Sequence, residues 1–158
     1  MPALAARTVH RRSKRVLLAN RCTEETVDER ELSGVLERIL RALGSPPGEL
    51  SVLVVDDAEM RSLNRDHLGR DRTTNVLSFP QSDSGEAGSP MLGDVVLAPR
   101  TIRRQALGAG RDPLRERDLA LIHAILHLLG YDHVGSRLER ERMRARERQV
   151  LAELGHRT

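Results

Sequence analysis

Residues 123–133, HAILHLLGYDH, place three histidines at the end of an apolar helical pattern. His123 and His127 are four positions apart, so their rings project from one face of the predicted helix. Gly130 marks the end of this helix, because glycine tolerates the left-handed conformation that a reversal of the chain needs. The turn can bring His133 to the same point. The pattern predicts a central buried helix that directs its imidazoles towards one place.

Three converging imidazoles are typical of a metal site. Three histidine ligands around zinc leave a fourth tetrahedral position for water, which is the catalytic rather than the structural pattern. A single histidine on such a helix would more simply be a hydrogen-bonded core residue, but burying an unpaired polar ring costs about 1–3 kcal/mol. The sequence therefore predicts one Zn²⁺ per chain, bound by His123, His127 and His133. Nickel, copper and iron stay open, since three imidazoles accept several first-row ions.

The spacing is also that of the metzincin peptidase motif, H-E-x-x-H-x-x-G-x-x-H. Ala124 occupies the glutamate position of that motif. A methyl group cannot take a proton from water, so the general base of a metallopeptidase is missing. The segment thus retains the three histidines of the motif, but the missing general base disfavours peptidase activity.

Around this segment, capped apolar periodicity predicts helices and short β-branched runs predict strands. The predicted strands are 15–19, 50–55, 73–79 and 92–97. The predicted helices are 28–43, 57–68, 99–108, 112–129 and 136–154. Because the order is not a clean βαβ alternation, the predicted fold class is α+β: a single domain with a small mixed sheet of about four strands covered by helices, and a zincin-like histidine helix.

The predicted domain organisation is a flexible basic arm over residues 1–14 and a single metal-dependent hydrolase domain over residues 15–158. A net charge of +3, carried almost entirely by arginine, permits a polyanionic partner, although codon bias explains it equally well. Phe79 and Tyr131 are the only aromatic residues, which nearly excludes a base-stacking platform. The lone Cys22 allows no intrachain disulfide and fits a reducing compartment. With no signal peptide or membrane span in the sequence, the expected location is the cytoplasm.

The histidine segment resembles the signature H-G-x-L-H-L-x-G-Y-D-H of the YbeY-type endoribonucleases and departs from it at Ala124. The resemblance extends from about Leu50 to the last helix. Further blocks match in order along the chain: Leu63-Asn64, Thr74 to Pro80, Gly93-Asp94, and Met143 with Glu147. Several blocks in order at family spacing make the match specific.

The resemblance implies a zinc-dependent, single-strand-specific endoribonuclease that acts in rRNA maturation and ribosome quality control. It implies that His123, His127 and His133 hold the zinc and that the Thr74–Pro80 strand lines the cleft beside it. The expected partners are ribosomal RNA precursors and ribosomal particles, with no membrane and no DNA. Whether water or the ribose 2′-hydroxyl attacks phosphorus stays open.

The remaining site predictions concern residues near these blocks. Asp132 could orient a histidine or handle a proton, or could simply be a turn residue. The family usually carries an arginine shortly after its Leu-Asn pair, whereas His67 and Leu68 occupy those positions here. Arg70 is the candidate to replace it in catalysis. The candidates for substrate binding are Arg65, Arg72, Asn75 and Ser78. Arginines in positions like those of Arg65, Arg70 and Arg72 are more often solvated surface residues.

A second hypothesis is a metal-stabilised ribosome assembly factor that does not cut RNA. The uncharged Leu68 and the near absence of aromatic residues favour it modestly, because leucine cannot stabilise the charge that develops on a transferring phosphoryl group. A metallopeptidase is the third and least favoured class.

Overall fold

The computed structural model describes residues 9–81, 91–132 and 135–156. These residues form one α+β domain with a mixed, five-stranded sheet. The strands are β1 (Arg11–Arg12), β2 (Val16–Asn20), β3 (Glu49–Val54), β4 (Val76–Pro80) and β5 (Met91–Leu97). The helices are α1 (Glu29–Ala42), α2 (Asp57–Leu68), α3 (Pro99–Gly108), α4 (Pro113–Leu128) and α5 (Arg137–Glu153). The predicted fold class is confirmed, with one strand more than the sequence indicated.

The strands lie in the order β1-β2-β3-β5-β4. The inner strands β2, β3 and β5 run parallel, and β1 and β4 join antiparallel at the two edges. The parallel strands are covered on both faces, which explains why they read as continuous apolar runs rather than as an alternating pattern. Strand β4 pairs with β5 from Val76 opposite Leu97 to Pro80 opposite Gly93. This edge strand borders the histidine helix.

The additional strand β1 lies within the predicted basic arm. The His10 amide donates to the Leu18 carbonyl at 2.8 Å, and the Ser13 amide donates to the Val16 carbonyl at 3.0 Å. Because backbone hydrogen bonds rather than buried apolar side chains hold this segment, the sequence shows no apolar pattern that predicts a strand there. Arg11–Arg12 are therefore paired with the sheet, whereas residues 1–8 lie outside the described residues and their flexibility stays a prediction.

The sheet separates two apolar cores because successive strand residues point to opposite faces. Val52 and Val95 pack with α1, α4 and α5 in the larger core. Leu53 and Val96 pack with Met60 of α2 in the smaller one. Helices α4 and α2 thus cover opposite faces of the sheet. Among the described residues, no helix combines the length and apolar character that a membrane span requires.

Candidate metal centre

Helix α4 begins and ends where its sequence predicts. The Asp112 side chain accepts a hydrogen bond from the Leu114 amide at 3.2 Å, and Pro113 occupies the first helical position. At the other end, Gly130 adopts a φ of 96°, and the Tyr131 amide donates to the Leu126 carbonyl at 3.0 Å. These bonds satisfy carbonyls that the helix end leaves open. The helix therefore ends within one turn of its second histidine.

His123 and His127 lie side by side on the half-buried face of α4. Their Nε2 atoms are 3.1 Å apart, and their rings meet edge to face with centroids 4.6 Å apart. The residues between them, Ala124 to Leu126, are fully buried in the larger core. Burial of the intervening residues keeps the helix in place, while about a third of the His123 side chain (33%) stays exposed.

This geometry fits two ligands of one zinc ion. Two nitrogen atoms bound at about 2.0–2.1 Å in a tetrahedron lie about 3.3–3.4 Å apart, close to the distance between the two Nε2 atoms. Without an ion, one ring can donate a hydrogen bond to the other, because a neutral imidazole has one donor and one acceptor nitrogen. The donor set is thus compatible with zinc in both its chemistry and its spacing.

The third predicted ligand, His133, lies outside the described residues, so the convergence of all three rings stays a prediction. No cluster of three or more His, Cys, Asp or Glu side chains suited to a metal occurs among residues 9–81, 91–132 and 135–156. Asp132 is exposed and borders a surface depression together with Glu139 and Arg142. Its position directly before His133 leaves both of its predicted roles open.

Two neighbouring cavities, each of about 280 Å³, open beside His123. One lies between α4, α5 and the start of β4, and is lined by Asn75, Val76, Glu116, Leu119, Ala120, His123 and Glu147. The other lies along α5, and is lined by His123, Arg140, Met143, Arg144 and Glu147. The exposed part of the His123 ring therefore faces space that a ligand can enter.

Strand β4 and the residue before it contribute Asn75 and Ser78 to the side of the sheet that carries the histidines. Asn75 lines the first cavity with His123. Val76 packs in the larger core with α4, and Ser78 shares its face because side chains alternate along a strand. Phe79 points to the opposite face, in the smaller core. The structure thus brings both predicted substrate-binding residues of this segment to the side that α4 covers.

The three arginines predicted near the site lie in or just after α2, on the other face of the sheet. Arg65 is exposed and donates to Asp66 at 3.1 Å. Arg72 lines a separate cavity with Asp57 and Arg61, and Arg70 is exposed. Neither of the cavities that His123 lines includes any of the three. The arginines that border His123 are instead on α5.

Sequence reasoning assigned no role to the α5 residues beside His123. The clearest signal was Glu147, a carboxylate at helical spacing from Met143, Val150 and Leu151, which are all buried. An acidic residue on the core-facing side of a helix needs a partner, because an unpaired buried charge is costly. Its partner is His123, whose Nδ1 lies 3.5 Å from a Glu147 carboxylate oxygen.

Gly93 allows the end of α4 to approach the sheet closely. A methyl group at this position would lie 2.7 Å from a Leu128 methyl carbon and 2.8 Å from the Phe79 carbonyl oxygen. Gly93 also has a φ of 151°, which other residues rarely adopt. The glycine of the matching Gly93-Asp94 block therefore has a steric role. It leaves room for Leu128, the residue that directly follows His127.

Together, the α+β fold and the paired histidines on its buried helix define a class of small domains with a zincin-like histidine helix. A family model described as "Endoribonuclease YbeY" matches residues 17–155. The chain belongs to this YbeY family.

Curated relatives agree with the assignment, and a solved structure is similar in fold. The chain is 41% identical over 141 residues to "Endoribonuclease YbeY" of Geobacter sulfurreducens, which covers 87% of this chain and 94% of that protein. It is 42% identical over 142 residues to the protein of the same name from Geobacter metallireducens, with the same coverage. The solution structure of TM1509 from Thermotoga maritima superposes with a TM-score of 0.59 at 25% identity, covering 89% of this chain and 90% of that one.

Proposed function

We propose that the chain is a zinc-dependent, single-strand-specific endoribonuclease that acts in rRNA maturation and ribosome quality control in the cytoplasm. Membership of the YbeY family supports RNA cleavage, because the relatives are named endoribonucleases. The observation that carries the metal dependence is the pair of Nε2 atoms 3.1 Å apart beside an open cavity. The proposed substrates are ribosomal RNA precursors, reached on ribosomal particles, with no membrane or DNA partner.

His123, His127 and His133 would hold the ion. A zinc ion there would supply Lewis acidity to a phosphodiester oxygen or to the attacking group. The carboxylates of Glu116 and Glu147 also line the first cavity, with side-chain exposures of 18% and 14%. Glu116 already pairs with Arg111 and Arg115 at 3.8 and 3.5 Å. Glu147 instead faces His123, so a metal ion held by the histidines would balance the charge that Glu147 presents to a phosphodiester.

Polar residues around the cavity are suited to holding RNA. Asn75 and Ser78 lie on the α4 side of the β4 segment, where their side chains can hydrogen-bond a sugar or a phosphate oxygen. Asp132 remains proposed as the residue that orients a ligand or carries a proton. Arg70 remains proposed for catalysis, and Arg65 and Arg72 for substrate binding. They lie in or just after α2 and would need to reach the RNA from the other face of the sheet.

The sharpest test of the proposed function is metal removal. Untagged protein should contain close to one zinc per chain, and His133→Ala should lose it, whereas a tag would bind metal itself. Cleavage of a single-stranded rRNA fragment should stop on chelation and return when zinc is added back. Equal cleavage by native, chelated and His133→Ala protein, all free of contaminating nuclease, would show that cleavage does not depend on the metal site and would refute the proposal.

The position of Arg144 leads to a prediction about phosphate binding. Arg144 is exposed and borders the cavity beside His123, so its guanidinium is well placed to pair with a backbone phosphate. Arg144→Ala should raise KM for RNA several-fold and make the slope of log affinity against log salt shallower by about one phosphate contact. Arg148→Ala removes the same charge from an exposed position of α5 and serves as the matched control. Equal effects of the two substitutions would show that only overall charge matters.

A non-cutting assembly factor is the second candidate. Leu68, at the position where the family usually has arginine, is the last residue of α2 and is 48% exposed, so it places an uncharged side chain at the surface. This candidate predicts that the pure, zinc-loaded protein co-sediments with ribosomal subunits and leaves RNA intact. Leu68→Arg should not alter that outcome if the protein is a binder, but should increase cleavage if Leu68 limits a nuclease.

A further inference from the structure

Glu147 of α5 lies against the ring of His123, on the side away from His127. The Nδ1 atom of His123 is 3.5 Å from a Glu147 carboxylate oxygen, and its Nε2 atom faces the Nε2 of His127. The two nitrogens of one imidazole therefore have different neighbours. One faces a carboxylate and the other faces the proposed metal position.

The setting of Glu147 makes this contact selective. Helix α5 is rich in arginine, and Arg144 and Arg148 are close to Glu147 in sequence. Among the described residues, however, the basic side chain within 4 Å of the Glu147 carboxylate is His123 rather than an arginine. The Glu147 side chain is only 14% exposed. It lies one helical turn after the fully buried Met143, on the face of α5 that packs on α4. The packing of α5 thus places this carboxylate on the histidine.

A carboxylate in this position controls how an imidazole can bind a metal. It can accept a hydrogen bond from Nδ1–H, which keeps the proton on Nδ1, leaves the lone pair of Nε2 free for the ion and restrains rotation of the ring. The negative charge also makes the imidazole a stronger ligand. Each of these effects requires the carboxylate to face the ring nitrogen that does not bind the ion, and Glu147 faces Nδ1 while Nε2 faces His127.

We infer that Glu147 is a positioning residue for the metal site: it fixes His123 with Nδ1 protonated and Nε2 directed at the zinc. This inference rests on the proposed function, since it assumes that His123 and His127 bind the ion. It adds α5 to a site that the histidine motif alone assigns to α4 and the following turn.

Zinc affinity measured by competition with a chromophoric chelator tests the inference, using the untagged full-length chain. Glu147→Gln should weaken zinc binding by about 10–100-fold, the usual effect of losing an outer carboxylate. Glu141→Gln is the matched control, because it removes the same charge from α5 at an exposed side chain that pairs with Arg137. The control should bind zinc within about twofold of the wild type.

Two further measurements separate positioning from a purely structural role. The zinc-free Glu147→Gln protein should unfold at a temperature close to that of the wild type, because only one partly exposed contact is lost. In the zinc-bound wild type, nitrogen NMR of labelled histidine should show His123 with a protonated Nδ1 and a ligated Nε2. A wild-type spectrum with Nδ1 unprotonated would refute the inference even if the substituted protein fails to fold.

The possible failures are distinguishable. If the wild type binds zinc and Glu147→Gln binds it equally well, the positioning role is refuted and the metal site stands. Binding of zinc through Nδ1 of His123 would likewise refute the positioning role alone. If the wild type does not bind zinc at all, the proposed metal site is refuted, and this inference with it.

Discussion

Replacement of His127 by alanine is expected to lower the rate of RNA cleavage by about a thousandfold. We expect the bound metal to stabilise the transition state by several kcal/mol, and a loss of about 4 kcal/mol lowers the rate by a factor of about a thousand. His127 supplies one of the two nitrogen atoms that lie 3.1 Å apart, so its loss leaves His123 and the third predicted histidine to hold the ion. Single-turnover cleavage of a 5′-labelled, single-stranded rRNA fragment measures the effect.

A surface histidine provides the control. His10 is exposed and lies next to β1, where its ring accepts a hydrogen bond from the Asn20 amide at 3.1 Å. His10→Ala should therefore cleave RNA at a rate close to that of the wild type. Circular dichroism should show that both variants keep the helical content of the wild type. Cleavage by folded, zinc-free His127→Ala at the wild-type rate would contradict the proposed mechanism.

Replacement of Asp118 by alanine should lower the free energy of unfolding by about 3–5 kcal/mol, the usual cost of breaking a buried ion pair. Asp118 is only 4% exposed, and its carboxylate lies between Arg117 and His156. One oxygen accepts hydrogen bonds from Arg117 at 2.7 and 2.9 Å, and the other lies 2.6 Å from the Nε2 of His156. These contacts tie α4 to the C-terminal segment and, through Arg117 and Glu31, to α1.

The size of this effect comes from Arg117, which loses its buried partner when Asp118 is replaced. Burial opposes the charge of Arg117, yet its hydrogen bonds to Glu31 and the charge of Asp118 raise the pKa of the guanidinium above its ordinary value. Without Asp118, the guanidinium, whose side chain is 15% exposed, keeps its charge and loses its most buried partner. Urea denaturation should give the loss directly, and the melting temperature should fall by roughly 10 °C.

Asp66→Ala is the control for this second prediction. The Asp66 side chain is 60% exposed, and its ion pair with Arg65 at 3.1 Å lies on the surface. Such pairs contribute about 0–1 kcal/mol, so this variant should unfold almost as the wild type does. A loss of less than about 1 kcal/mol for Asp118→Ala would show that the network around α4 contributes no more than a surface pair.

Local sequence patterns were sufficient to predict the histidine helix. The Asp112-Pro113 start, the apolar run and Gly130 act over one or two helical turns, so no distant residue had to be known. The spacing of His123 and His127 predicted that their rings would meet for the same reason. The small mixed sheet also followed from local apolar runs, because its parallel strands are buried on both faces.

What the local patterns could not show is which separate segments meet across the sheet. Helix α2 covers the face opposite α4, which separates Arg65 from the histidines although Arg65 directly follows the matching pair Leu63-Asn64. The docking of α5 on α4 decides that Glu147 contacts His123, and the close approach of Leu128 decides that position 93 must be glycine. The physical reason is range: helix periodicity and caps depend on neighbours a few residues away, whereas these contacts depend on how packed layers are stacked.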